Sequence, residues 1–201
     1  MTDEELIKGC VAKNPVAQKF LFEKFSRKMM GICIRYAERK EEAEDMLQNG
    51  FIRIFEKIET FRSEGSLEGW IRKIVINESL TWLRKNKVMK MNIDIESTKY
   101  IIPGNNHIGE KINEKDLLKM IQSLPTGFRT VFNMYAIEGY SHKEIGEILG
   151  ISEGTSKSQY SRAKVHLQDM LLCEATMNSV EKQSPSKLTG NIKLEEKINT
   201  N

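Results

Sequence analysis

The sequence predicts an all-α protein: two small helical domains joined by a flexible linker, the C-terminal one containing a helix-turn-helix. Three observations carry this. Apolar residues recur at three- and four-residue steps through almost every segment, the period of an amphipathic helix. Between Met91 and Lys111 that period is lost and Pro103-Gly104-Asn105-Asn106 gathers turn formers. Further on, Ser141-x-x-Glu144, Gly150 and Ser152 are spaced as the caps and turn of two crossing helices.

The elements follow in order. In VAQKFLFEKFSRKMMGICIRYAERK, the residues Leu21, Phe25, Met29 and Cys33 line one helix face, so Cys33 reads as core filling. The next helix buries Leu47, Phe51, Ile54 and Ile58 and turns Asp45, Gln48, Asn49, Ile52 and Glu56 elsewhere. A polar loop, FRSEGS from Phe61 to Ser66, breaks the pattern at Gly65. Ser66 is placed to cap a helix from Leu67 to about Lys87, with Glu68 favourable to its first turn. Three helices thus make a domain over residues 1–90, and residues 91–111 form the linker. In the second domain, 112–173, Leu117, Leu118, Ile121 and Leu124 mark one helix and Phe128, Val131, Phe132 and Tyr135 the next. Pro125 is expected in the first turn of that second helix, and Gly139 at its end. Ser141 and Glu144 then form a capping box, Gly150 supplies a positive-φ turn, and Gly146 permits a close crossing. The helix capped by Ser152 runs to about Leu172, and residues 174–201, without aromatics and mixed in charge, are expected to be a disordered tail.

Composition limits the function classes. The chain has 201 residues, 39% hydrophobic, 29% charged and 7% aromatic, with a net charge of +3, so basicity must be local to matter. No apolar run is long enough to span a bilayer. The start, MTDEELIKG, lacks the basic and apolar regions of a secretory signal, which points to a cytoplasmic protein without membrane insertion. Cys10, Cys33 and Cys173 are too dispersed for a metal cluster and read as reduced thiols. His107, His142 and His166 are scattered, and no nucleophile–base pairing or glycine-rich phosphate loop occurs, so neither enzyme, cofactor nor metal is expected.

The charge pattern is more specific. Residues 41–68 carry a balance of −5, and residues 71–90 a balance of +5. Such a reversal across one loop suggests neighbouring surfaces for two partners. Along the basic helix, Trp70, Lys73, Asn77, Thr81 and Arg84 fall on one side. A ring for base stacking beside cations for phosphates suits a single nucleic-acid strand, although tryptophan at helical spacing also serves as core. Trp82, on another face, is assigned to packing, and the loop before the helix could pocket a flipped base. The second helix of the helix-turn-helix offers Thr155, Lys157, Ser158, Ser161, Arg162 and Lys164 to a DNA groove. Ser156 stands where such helices bury an aliphatic residue, so looser packing is expected there. His166 is expected to meet the helix terminus or a phosphate.

With these residues in view, roughly residues 10–172 resemble a sigma factor of the sigma-70 superfamily, of the small extracytoplasmic-function class. DMLQNGFIRIF resembles the part of region 2 that docks on the clamp helices of the polymerase β′ subunit, which gives Asp45, Gln48, Asn49, Phe51 and Ile52 as core-binding candidates. FRSEGSLEGWIRKIVINESLTWLRK resembles the segment that melts and reads the −10 element, and LPTGFRTVFNMYAIEGYSHKEIGEILGISEGTSKSQYSRAKVHL resembles region 4, which reads the −35 element and contacts the β flap. Asn49 departs from the acid common at its position, and Ser156 from the usual aliphatic. The resemblance implies core RNA polymerase and promoter DNA as partners, an anti-sigma factor as the class commonly has, and no large inhibitory region or region 3. Read without it, the residues also admit a stand-alone helix-turn-helix regulator acting as a dimer, or an adaptor that never touches DNA.

Overall fold

The computed structural model describes residues 1–86 and 114–183, with side chains as far as Leu172. The expected linker, 91–111, lies outside the described residues. Every regular element among the described residues is helical: α1 (Asp3–Val11), α2 (Pro15–Tyr36), α3 (Lys40–Lys57) and α4 (Leu67–Lys85), then α5 (Glu114–Ser123), α6 (Thr126–Phe132), α7 (His142–Leu149) and α8 (Glu153–Gln183).

The first region therefore has four helices rather than three. Helix α1 begins with a capping box: Glu5 N–H donates to the Thr2 hydroxyl (3.2 Å) and Thr2 N–H to the Glu5 carboxylate (2.8 Å). The signal was there in Thr2-x-x-Glu5, directly after the initial Met. Asn14 caps α2 by accepting from Val16 N–H (2.8 Å), with Pro15 at the first helical position. The face of Leu21, Phe25, Met29 and Cys33 is fully buried, as its period requires, and α2 stops at Tyr36, short of Lys40. Burial pushes the Cys33 thiol up to about 12, so it stays protonated and inert. Leu47, Phe51, Ile54 and Ile58 point into the same core. Ser66 caps α4 by accepting from Gly69 N–H (3.0 Å).

In the second region Pro125 is the N-cap of α6, one position before the first turn, because its ψ of 140° is extended rather than helical. Helix α6 is short and widens into a π-turn, Asn133–Ile137, before Gly139 (φ +80°) ends it. Helix α7 has its capping box: Glu144 N–H donates to the Ser141 hydroxyl (3.2 Å) and Ser141 N–H to the Glu144 carboxylate (2.8 Å). Gly150 (φ +71°) makes the turn, and Ser152 caps α8 by accepting from Thr155 N–H (2.9 Å). Helix α8 then continues to Gln183, ten residues into the expected disordered tail. Nothing in 174–183 breaks a helix, whereas Ser184-Pro185 does, because the residue before proline avoids helical ψ. Residues 184–201 lie outside the described residues.

The two regions pack together. Val131, Met134 and Ile145 belong to the same core as α2, α3 and α4, while Met120, Ile121, Leu124, Ala163 and Leu167 form a smaller one. At the junction the last carbonyls of α2, which have no partner within the helix, are capped from the second region. Gln122 Nε2 donates to the Ile34 carbonyl (3.1 Å) and Asn133 Nδ2 to the Arg35 carbonyl (2.8 Å). The Glu138 side chain, 1% exposed, accepts from Arg35 Nη2 (2.6 Å) and Arg72 Nε (2.7 Å). Arg129, also 1% exposed, donates to the Gln122 carbonyl (2.7 Å) and faces Glu38 (3.5 Å). Four buried polar atoms here, Arg35 Nε, Tyr36 Oη, Arg129 Nε and Asn133 Oδ1, have no hydrogen-bond partner. Each such orphan costs about 1–3 kcal/mol, set against the burial of Val131, Met134 and Ile145 in the shared core.

The helix-turn-helix depends on one close approach. A Cβ added at Gly146 would lie 2.8 Å from the Ile151 carbonyl oxygen, which is backbone and cannot step aside. Gly146→Ala is expected to destabilise the second region by about 1–3 kcal/mol, read as a lowered thermal midpoint; an unchanged midpoint would show that the turn has slack.

Candidate nucleic-acid and partner interfaces

Three surfaces emerge. The first lies on α3. Gln48, Asn49 and Asp45 are exposed, and Ile52 is 51% exposed, a large apolar side chain left largely in water. Phe51 departs from expectation: it is 3% exposed and locked between Phe22 (ring centroids 4.7 Å) and Phe55 (6.1 Å). It cannot present its ring broadly to a partner; with Leu47 it floors a groove that Phe22 and Phe55 wall and Asp45 and Gln48 rim. Phe22 was missed in the sequence, because attention to the buried Leu21 stripe passes over the aromatic residues on either side of it. Phe20 and Phe22 are both exposed, and two solvent-facing phenylalanines flanking the buried Leu21 were the available signal.

The second surface is α4 with its preceding loop. Lys73, Asn77 and Arg84 are exposed and Thr81 is half-buried, its hydroxyl donating to the Asn77 carbonyl (2.8 Å). The structure brings these four onto one side, as the spacing requires. Trp70 is half-buried and leans on Phe61 at the start of the loop (5.6 Å between rings), so one face is committed to support. The loop's left-handed residue is Ser63 (φ +57°) and not Gly65. A non-glycine there carries roughly 1–2 kcal/mol of strain, so the loop is held in a defined shape beside Trp70. Trp82 is half-buried between α3 and α4, beside the ion pair of Arg53 and Glu78 (3.2 Å), which agrees with a packing role.

The third surface is the N-terminal half of α8. Lys157, Ser158, Ser161, Arg162 and Lys164 are exposed along it. Two of the cations are already oriented: Lys157 pairs with Glu153 (2.6 Å), and Lys164 Nζ stands 4.9 Å from the Tyr160 ring centre. Thr155 is half-buried with its hydroxyl 2.8 Å from that of Ser152, so it stiffens the helix start. Ser156 overturns the expectation of loose packing. It is 0% exposed and its hydroxyl lies 2.9 Å from His142 Nδ1, a bond between the two helices of the motif that an aliphatic residue could not make. His142 also stacks on Tyr135 (4.1 Å, 9° between planes). His166 meets the ring of Phe128 (5.7 Å) on the inner side.

Known proteins carry the same organisation. Residues 21–88 match the Sigma-70 region 2 family and residues 114–167 the Sigma-70 region 4 family, in that order and together over more than half of the chain. The chain belongs to the sigma-70 family. Among its relatives, the ECF RNA polymerase sigma-E factor of Haemophilus influenzae is 25% identical over 183 residues, covering 85% of this chain and 96% of that protein. The ECF RNA polymerase sigma factor SigE of Mycolicibacterium smegmatis is 31% identical over 145 residues, 70% of this chain and 56% of that one. A solved chain, the sigma factor RpoE of Bartonella quintana in complex with the anti-sigma factor NepR, aligns at 22% identity and a TM-score of 0.47 over 77% of this chain and 95% of that one. No helix among the described residues is long and apolar enough to cross a membrane, and no cluster of residues there could hold a metal ion.

Burial lowers the pKa of His142 from its ordinary 6.5, and the Lys157 ammonium adds to this. The unfolded chain therefore takes up this proton first as pH falls. The stability contributed by neutral His142 is present above pH 6.5 and is lost below it. An NMR titration is expected to give His142 a midpoint below 6.5; a midpoint at or above that value would mean that the ring is not held neutral against Ser156.

Proposed function

We propose that this sigma factor brings core RNA polymerase to specific promoters and starts transcription without catalysis of its own. The observation that carries the reading is the succession of region 2 and region 4 matches on a chain whose helices present an acidic groove, a basic Trp70 face and a helix-turn-helix, each exposed. In this reading Asp45, Gln48, Asn49 and Ile52 meet the β′ clamp helices, with Phe51 shaping the groove from beneath. Trp70, Lys73, Asn77, Thr81 and Arg84 hold the unpaired strand at −10. Capture of extruded bases offsets an unstacking cost of a few kcal/mol per base, so the duplex opens without ATP. Thr155, Lys157, Ser158, Ser161, Arg162 and Lys164 set α8 in the major groove at −35, with region 4 also touching the β flap. The protein acts in the cytoplasm, where polymerase and promoters are, and an anti-sigma factor is its natural antagonist. A stand-alone regulator is not favoured, since region 2 would then have no task.

Promoter-specific initiation by core polymerase with this protein added is the direct test; a library of promoter fragments giving no specific open complex would exclude the reading. Arg162→Ala is expected to cost about 1–3 kcal/mol at one −35 base pair if the guanidinium binds a guanine edge in bidentate fashion. A uniform loss across all sequences would assign it to a phosphate instead. Ile52→Asp is expected to weaken polymerase binding about tenfold in a competition assay, because it puts a charge into a contact that must dehydrate, while leaving the thermal midpoint unchanged.

A further inference from the structure

The groove on α3 does not end at Asp45, Gln48 and Ile52. It shares Ile52 and Phe55 with a second hollow, which Cys10, Val11 and Lys13 line at the end of α1. The two make one trough between α2 and α3. Gln18 and Phe22, one turn apart on α2, line it together with Glu56 and Glu59 at the end of α3. Helix α1 and the first residues of α2 lie outside the region 2 match, which begins at residue 21. Yet α1 is fixed in place. A Cβ at Gly9 would collide with the Ala17 methyl, so α1 and α2 cross closely there, and Lys24 holds Asp3 at the other end (2.6 Å).

The lining specifies the occupant. Val11, Phe22 and Ile52 are 47%, 40% and 51% exposed, so three large apolar side chains gather along one trough instead of being scattered singly. The charge around them is one-sided: Glu44, Asp45, Glu56 and Glu59 against Lys13. Glu44 and Glu56 are paired on their own helix, whereas Asp45 and Glu59 have no ion-pair partner among the described residues. No strand is present among the described residues to which an extended peptide could add. The matching occupant is therefore a helix with an apolar stripe and basic flanks. From Asp45 to Glu59 the trough runs about 20 Å, the length of four helical turns. Lys13 gives it a direction. It holds φ +54° just past α1, where helices favour glycine, and its N–H closes the turn onto the Cys10 carbonyl (3.0 Å). A lysine at that strained position sets the one cation of the lining at the α1 end, opposite to an acidic group on the occupant.

We infer that α1 completes the polymerase-docking surface: a basic amphipathic helix of core polymerase lies along the whole trough, from Asp45 to Val11 and Lys13, rather than on the α3 face alone. This role rests on the sigma reading. Val11→Lys, Glu59→Lys and Lys13→Gly test it in the full chain, each competing with the wild type for core polymerase. A cation at the end of α1 suits the helix dipole, so Val11→Lys should leave the thermal midpoint unchanged. Both lysine substitutions repel a basic helix and are expected to weaken binding roughly five- to tenfold. Lys13→Gly relieves the positive φ, so it is expected to hold or raise the midpoint while weakening binding about threefold. Loss of a merely structural residue would lower both. Weaker binding in two or more variants at an undiminished midpoint supports the role of α1. Weaker binding in fewer, while Ile52→Asp still loses affinity, overturns it, assigns the α1 end to another partner and leaves the sigma reading standing. A wild type that does not bind core polymerase at all overturns the sigma reading and the role of α1 with it.

Discussion

The close crossing of α3 and α4 governs what the first region can do. Gly50 of α3 faces Val75 of α4 so tightly that an added Cβ would sit 3.1 Å from the valine methyl. Around that point Leu47, Phe51 and Ile54 share one core with Ile71, Val75 and Ile76. Packed at interior density, the two helices behave as one body. Their outward faces, acidic on α3 and basic on α4, are therefore fixed relative to each other, and Arg53 bridges the helices to Glu78. In the proposed function, this keeps strand separation next to the polymerase instead of leaving it to a mobile attachment.

Region 4 follows a different rule. Its helix-turn-helix is held by Gly146, by the two caps at Ser141 and Ser152, and by the His142–Ser156 bond across the motif. These contacts lie within the motif, so its DNA-facing side survives any movement of the region as a whole. Its attachment to region 2 combines the ion pairs of Glu138 with burial of Val131, Met134 and Ile145 in a shared core.

Much of this was legible in the sequence. Four-residue spacing identified the α2 and α3 core faces, and capping and turn chemistry identified α7, its turn and the start of α8, because both are local properties of a few side chains. The exposed residues Asp45, Gln48, Lys73, Asn77, Lys157 and Arg162 could also be found, since a helix's solvent side follows from its buried side. The errors were of two kinds. Helix α1 and the last turns of α8 were overlooked although their signals were local. Phe51 was given a partner-facing role on the strength of family position, when its place in the apolar stripe already committed it to the core.

The sequence by itself determined the helices, their inner faces and the order of the two regions, since 3.6-residue periodicity and caps act within one turn of the chain. Only the tertiary structure decided which distant residues meet. Glu138 finds Arg35 and Arg72, Arg129 is buried beside Glu38, Ser156 bonds to His142, and Phe22 joins the α3 groove. No periodicity encodes such pairings. They arise from how whole helices dock, and docking is set by the summed shape of many side chains rather than by any short pattern.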